Sequence, residues 1–229
     1  MNMHKRTFFI VLYLNLVSCF FSSAIAPDEA IEYLHESLPS NQGKIQKSFF
    51  TPDKEHSVKK IMIGLIRNET EEITAALYRL TEPDVAAELM KAFQRGVKIY
   101  LITDLGCFFD KNEKITHLHE NGIETSYYGK PYSIMHNKYW IFKKNFLGTV
   151  LVTGSANTTK GGLLSNKENI IVTNNAETIA EFAQNFEKIK GEASSGIPTK
   201  EVLRNYATQE MWDGLKYGMR KTIFSLKVR

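Results

Sequence analysis

Between Gln46 and Lys190 short runs of apolar residues alternate with segments whose apolar side chains recur every three or four positions, and few architectures accept that alternation. The runs 46–50, Ile73 to Tyr78, Val97 to Thr103, Ile123 to Tyr128, 137–142, 149–153 and 169–173 read as strands. Helical spacing is carried by residues 28–38, by Val58, Ile61, Met62, Leu65 and Ile66, by Val85, Leu89 and Phe93, by 112–121 and by 176–190. Thr81-Glu82-Pro83-Asp84 opens the third helix, with Thr81 as the expected cap and Pro83 where no amide partner is needed. Gly96 closes it. Strands and helices in alternation predict an α/β fold, a mixed sheet sandwiched between helices.

The two ends of the chain read differently. His4-Lys5-Arg6, the apolar run Phe8 to Val17 and Ala24-Ile25-Ala26 form a secretory signal over residues 1–26, too short to span a bilayer. Cleavage after Ala26 is preferred to lipoprotein anchoring at Cys19, because Phe20-Phe21 extend the apolar run past that cysteine. The mature protein is then expected in the periplasm or outside the cell. Losing Lys5 and Arg6 lowers the formal charge from +4 to +2, so net charge says little about partners. It also leaves Cys107 as the one cysteine, a shielded thiol with no intrachain disulfide. Residues 27–190 are expected to form the catalytic domain. Residues 191–229 are expected to be a linker, rich in small residues from Glu192 to Pro198, followed by a C-terminal extension of unknown role.

The chemistry is concentrated in three short stretches. His136 and Lys138 stand two apart at a strand start, so their side chains project together. An imidazole beside an ammonium is a poor cation site and a good oxyanion site, since the lysine offers no lone pair. Ser155 and Asn157, two apart at the next strand's end, offer a hydroxyl and an amide to phosphate oxygens. Glu168 opens the following strand and is expected to hold the imidazole as the acid of a triad does. His117 and His119 also stand two apart, but on a helix that spacing does not converge on a metal, and no metal or cofactor is expected.

The stretches from Met135 to Phe142, Thr153 to Asn157 and Asn166 to Asn169 closely resemble the phospholipase D superfamily, most closely its small single-motif bacterial endonucleases. The resemblance reaches back through Phe50-Thr51-Pro52, Tyr78 to Thr81 and Arg95 to Ile99, ending at Asp104, and covers roughly residues 47–190. It implies a phospholipase D-like sheet with one His-x-Lys motif per chain. It also implies a phosphohistidine on His136, with Lys138, Asn157 and Ser155 holding the phosphate. The family pattern His-x-Lys-x-x-x-x-Asp departs here, because Lys143 stands where the aspartate belongs. Lys143 reads as altered support or as an added phosphate contact. The reaction needs two histidines and the chain has one such motif, so the resemblance implies a homodimer with a shared site.

Six lysines (130, 138, 143, 144, 160 and 167) against one acid between Gly129 and Ile170 suggest a basic groove, with Lys130, Lys143 and Lys160 as substrate contacts. Nucleic acid is the first expected substrate. A phospholipid such as cardiolipin is the second, and a silent nucleic-acid-binding dimer is the third reading.

Overall fold

The computed structural model describes residues 27–38, 43–130 and 133–209. The stretch read as a secretory signal, with Cys19, and the last part of the expected extension lie outside the described residues. Among the described residues eight strands form one mixed sheet, in the order β1-β7-β6-β5-β2-β3-β4-β8. They are β1 (Gln46–Thr51), β2 (Glu72–Leu77), β3 (Lys98–Asp104), β4 (Glu124–Tyr128), β5 (Lys138–Asn145), β6 (Gly148–Gly154), β7 (Glu168–Thr173) and β8 (Ser194–Ser195).

Helices cover both faces. On one side α1 (Pro27–Ser37), α2 (Ser57–Asn68), α3 (Pro83–Gln94) and α4 (Ile115–Glu120) bury the larger core, built on Leu34, Ile61, Leu65, Leu77, Leu89 and Phe142. On the other side α5 (Ala176–Glu192) covers Ala76, Ile102, Tyr139, Ile141 and Leu151 with Phe186 and Ile189. The central strands are therefore apolar on both faces, as a sheet between helices requires. The buried Lys59 joins α2 to α3 through Glu82 and Asp84, at 2.8 and 2.6 Å.

Strand polarity decides where a site can form. β2, β3 and β4 run parallel, so Leu77, Asp104 and Tyr128 end together. β5 is antiparallel to β2, with Leu77 opposite Lys138. β6 reverses again and ends at Gly154 opposite Ile170, near the start of β7 at Glu168, which faces Thr51 at the end of β1. One end of the sheet thus gathers seven chain segments.

Two local expectations are revised. Thr81 does not cap α3; Glu82 occupies the N-cap without a side-chain bond, and the Thr81 amide donates to the Thr158 carbonyl at 2.9 Å. The stretch read as linker adds β8 to the sheet edge, where Ser194 pairs with Tyr127 and Ser195 with Ser126, and residues 200–209 then form a helix. The segment 161–165, unassigned by the sequence, is a single wide helical turn. Its Gly162 is obligatory, because a Cβ there would lie 2.2 Å from the Asn157 carbonyl oxygen. Cys107 is fully buried, and burial pushes its thiol pKa up.

The far end of the sheet is fixed by one carboxylate. Glu69, fully buried after α2, accepts from the amides of Thr70, Glu71 and Glu72 and, across the sheet, from Lys144 at 2.9 Å. Replacing it by alanine removes the acceptor of several partly buried backbone donors. Glu69→Ala is expected to cost at least about 2 kcal/mol in chemical denaturation and Glu69→Gln distinctly less. Equal stability of the two variants would contradict this role.

Candidate active site

His136 lies just before β5 and is exposed, while Lys138 is the first residue of the strand. The lysine ammonium sits 3.1 Å from His136 Nδ1 and donates to the His136 carbonyl oxygen at 2.8 Å. The expected strand geometry at His136 is not needed, because the Lys138 side chain folds back over the preceding turn. Burial first, then the Lys138 charge, lowers the His136 pKa below its ordinary value, with Asp104 opposing. Burial likewise lowers the Lys138 pKa, with Glu168 opposing. A neutral imidazole beside an ammonium is thus the resting state at neutral pH, and the pair suits attack on a bound oxyanion.

Glu168 and Ser155 form a second group. Ser155 Oγ donates to Glu168 Oε2 at 2.5 Å and accepts from the Asn169 amide at 3.1 Å. Its proton is therefore committed to the carboxylate and not offered to a phosphate. Glu168 makes no hydrogen bond to His136 within one chain; its bonds run to Ser155 and Asn166, and its electrostatic reach is to Lys138. Gly154 makes this geometry possible, since a Cβ there would lie 2.2 Å from the Asn169 carbonyl oxygen. Asn157 follows, and its buried Oδ1 has no hydrogen-bond partner among the described residues. That oxygen is an acceptor, so only the Nδ2 group of the same amide can donate to a phosphate oxygen.

The three expected substrate lysines separate. Lys143 does not reach the site. Because β5 runs away from the site end, Lys143 lies roughly 16 Å along the strand from Lys138, and it pairs with Glu71 at 2.8 Å. Lys144 shares that far end, with its amide held by Glu69. Lys130 stays near His136 but is paired with Glu192 at 2.5 Å. Lys160 is exposed at the head of the turn after Asn157. The basic groove is accordingly narrower than the lysine count suggests.

Three further residues shape the site. The Tyr78 ring lies 4.4 Å from the His136 ring, with the Lys138 ammonium and the Arg79 guanidinium each 5.0 Å from its centroid. Its amide donates to the Asn137 carbonyl at 2.7 Å, fixing the turn that carries the histidine. Asp104, 2% exposed, accepts from the Met135 amide at 2.8 Å and from Gly106. Burial raises its pKa, while those bonds and the Arg79 and His136 charges oppose the rise. Tyr78, Arg79 and Asp104 sit at or just past the ends of β2 and β3. Strand ends are where α/β sheets place their sites, and that signal was present in the sequence.

Among the described residues no three His, Cys, Asp or Glu side chains converge as a metal-binding group. His117 bonds Asn121 and His119 bonds Thr125, so the two point to different partners.

Because the Lys138 charge lowers the His136 pKa, removing it must raise that pKa. In Lys138→Met the imidazole titration followed by NMR is expected to move to higher pH, and the acid limb of any activity with it. An unchanged or lower value would contradict the coupling.

Residues 62–190, more than half of the chain, match the family described as "Cardiolipin synthase, PLD-like domain". The human mitochondrial cardiolipin hydrolase is 25% identical over 173 residues, covering 76% of this chain and 63% of that protein. A protein named phospholipase D from Rickettsia typhi is 26% identical over 160 residues, covering 70% of this chain and 74% of its own length. The chain spans about three fifths of the mitochondrial cardiolipin hydrolases it matches. Two solved structures share the fold. Nuc, a phospholipase D family member from Salmonella typhimurium, aligns with a TM-score of 0.60 at 22% identity, over 68% of this chain and all of its own. NucT from Helicobacter pylori aligns with a TM-score of 0.61 at 23% identity, over the same shares. All five residues of the expected catalytic set fall inside the matched region, and the chain belongs to the phospholipase D superfamily of phosphodiester-cleaving enzymes.

Proposed function

We propose that this chain is a metal-independent phosphodiesterase that works through a phosphohistidine on His136, with nucleic acid as its substrate. The observation that carries the reading is the neutral imidazole 3.1 Å from the Lys138 ammonium, with Glu168 within electrostatic reach of that lysine. The lysine attracts the phosphate and holds its charge. His136 attacks phosphorus, one ester oxygen leaves, and water then attacks the phosphohistidine to free the histidine. The amide of Asn157 is the neutral contact to a phosphate oxygen. A cation would be repelled by Lys138, which is why the reading assigns the charge stabilisation to the lysine and not to a metal.

The reaction also needs an acid for the leaving oxygen. Among the described residues no carboxylate bonds the imidazole, and no second histidine is bonded at the site. We assign the working form as a two-fold homodimer in which the second copy's His136 is protonated and gives its proton to the leaving oxygen, while the attacking His136 is neutral. Export through residues 1–26 makes the periplasm or the exterior the place of action.

A second reading is favoured by the names of the relatives. The mitochondrial cardiolipin hydrolases and the Rickettsia phospholipase D share this domain, and Ile134, two residues before His136, is 53% exposed. A phospholipid diester is the substrate in that case. The third reading, a silent binding dimer, rested on Lys143, which lies far from His136.

Incubation of residues 27–229 with plasmid DNA, RNA and labelled phospholipid vesicles in excess EDTA separates these readings. Nicking is expected to survive EDTA and to vanish in His136→Ala, and Lys138→Met is expected to lose about 100- to 1000-fold in rate. Lipid turnover without nicking moves the assignment to the second reading, and a metal requirement sinks the mechanism. Sedimentation equilibrium is expected to give a dimer; a strictly monomeric, fully active protein would remove the shared site.

A further inference from the structure

A cleft of about 420 Å³ opens beside His136, on the flank away from Ser155 and Glu168. Its walls come from the end of β4, the segment before β5 and the last turns of α5, with His136 itself forming one side. Ser155 and Glu168 lie along the sheet in the other direction, at the ends of β6 and β7. A diester whose phosphorus sits at His136 and Lys138 therefore has one arm toward β6 and β7 and the other arm in this cleft.

The size and chemistry of the cleft define that arm. It is far larger than a phosphate and falls within the ordinary range of small-ligand sites. Tyr128 presents a half-buried ring, and its hydroxyl is held by Ser133 at 3.2 Å. Asn185 is oriented because its Oδ1 accepts from the buried Tyr139 hydroxyl at 3.0 Å, which leaves its NH₂ as a donor. Lys188 lines the cleft and makes no salt bridge among the described residues. The carboxylate of Glu192 is taken up by Lys130 at the rim. Ile134 and Ile189 supply apolar surface, but amides and charges interrupt it. An acyl chain would have to desolvate those groups without compensation. A nucleoside instead offers a base to stack on the tyrosine, polar edges for the amide, and a following phosphate for the ammonium.

We propose that this cleft is the subsite for the nucleoside flanking the scissile phosphate, with Tyr128 stacking on the base, Asn185 bonding its edge and Lys188 holding the next phosphate. The inference rests on the nucleic-acid reading given above and names the residues that read the flanking nucleotide.

The test compares a labelled single-stranded oligonucleotide with bis(4-nitrophenyl) phosphate, a diester with no flanking nucleoside or further phosphate. The protein is the mature chain, and circular dichroism checks the fold of each variant. Lys188→Ala is expected to lower the ratio of kcat/KM for the oligonucleotide to that for the small diester by about tenfold, through KM, and to flatten the salt dependence by about one ion. Tyr128→Leu is expected to lower the same ratio, and Tyr128→Phe, which keeps the ring, to preserve it. Equal losses on both substrates, or oligonucleotide cleavage indifferent to Lys188→Ala and Tyr128→Leu, would overturn the subsite while leaving the nuclease reading intact. Turnover of the small diester and of vesicles by the unmodified protein, without oligonucleotide cleavage, would overturn both.

Discussion

The placement of β5 is the constraint on which the site depends. It lies between β2 and β6 and runs antiparallel to both, so its first residue, Lys138, faces Leu77 on one side and stands one step from the Tyr139–Thr153 pair on the other. Were β5 parallel to β2, the histidine and lysine would emerge beside Glu69, at the opposite end from Asp104, Gly154 and Glu168. The antiparallel course also explains why neighbouring residues of one motif do unrelated work. His136 and Lys138 meet at the open end, whereas each later residue moves about 3.3 Å down the sheet. The strand's hydrophobic centre, Tyr139 to Phe142, is buried on both faces and leaves no freedom to slip.

Around that strand the site is built from opposed tendencies. Burial and the Lys138 ammonium hold His136 neutral, while Asp104 opposes them from beneath the turn. An imidazole attacks through an unprotonated ring nitrogen, so this arrangement favours attack, with no carboxylate bonded to the ring among the described residues. Glu168 is engaged with Ser155 and acts on Lys138 at a distance. Among the described residues no proton donor is bonded at His136, and this is why the proposed reaction draws one from a second copy.

The fold was largely legible because each core element carries its own period. The twelve residues of α2 and the apolar centre of β5 declare themselves without reference to the rest of the chain. The His-x-Lys and Gly-Ser-x-Asn pairs were legible for the same reason, as local spacings at strand ends. What the sequence hid was non-local. Nothing in Glu69 announces that it binds an amide 75 residues away, and nothing in Tyr78 announces a histidine 58 positions later against its ring. β8 was hidden differently. Two serines have no strand propensity to speak of, and they join the sheet because β4 offers an open edge and the Gly196 amide reaches the Thr125 carbonyl.

Lys143 shows how far a motif can be trusted when one of its members is missing. Read as a linear pattern, the loss of an aspartate five residues after the lysine looks like damage to the catalytic group. Along an antiparallel strand those five residues separate the position from the chemistry by most of the strand's length. What the far end of β5 needs is a carboxylate for its backbone donors, and a chain can supply one from any element that ends there. Here α2 ends there, and Glu69 takes the Lys144 amide together with three amides of its own turn. Lys143 is then free to pair with Glu71 on the surface. The departure from the pattern therefore lies at the closed end of the sheet, roughly 16 Å along the strand from Lys138.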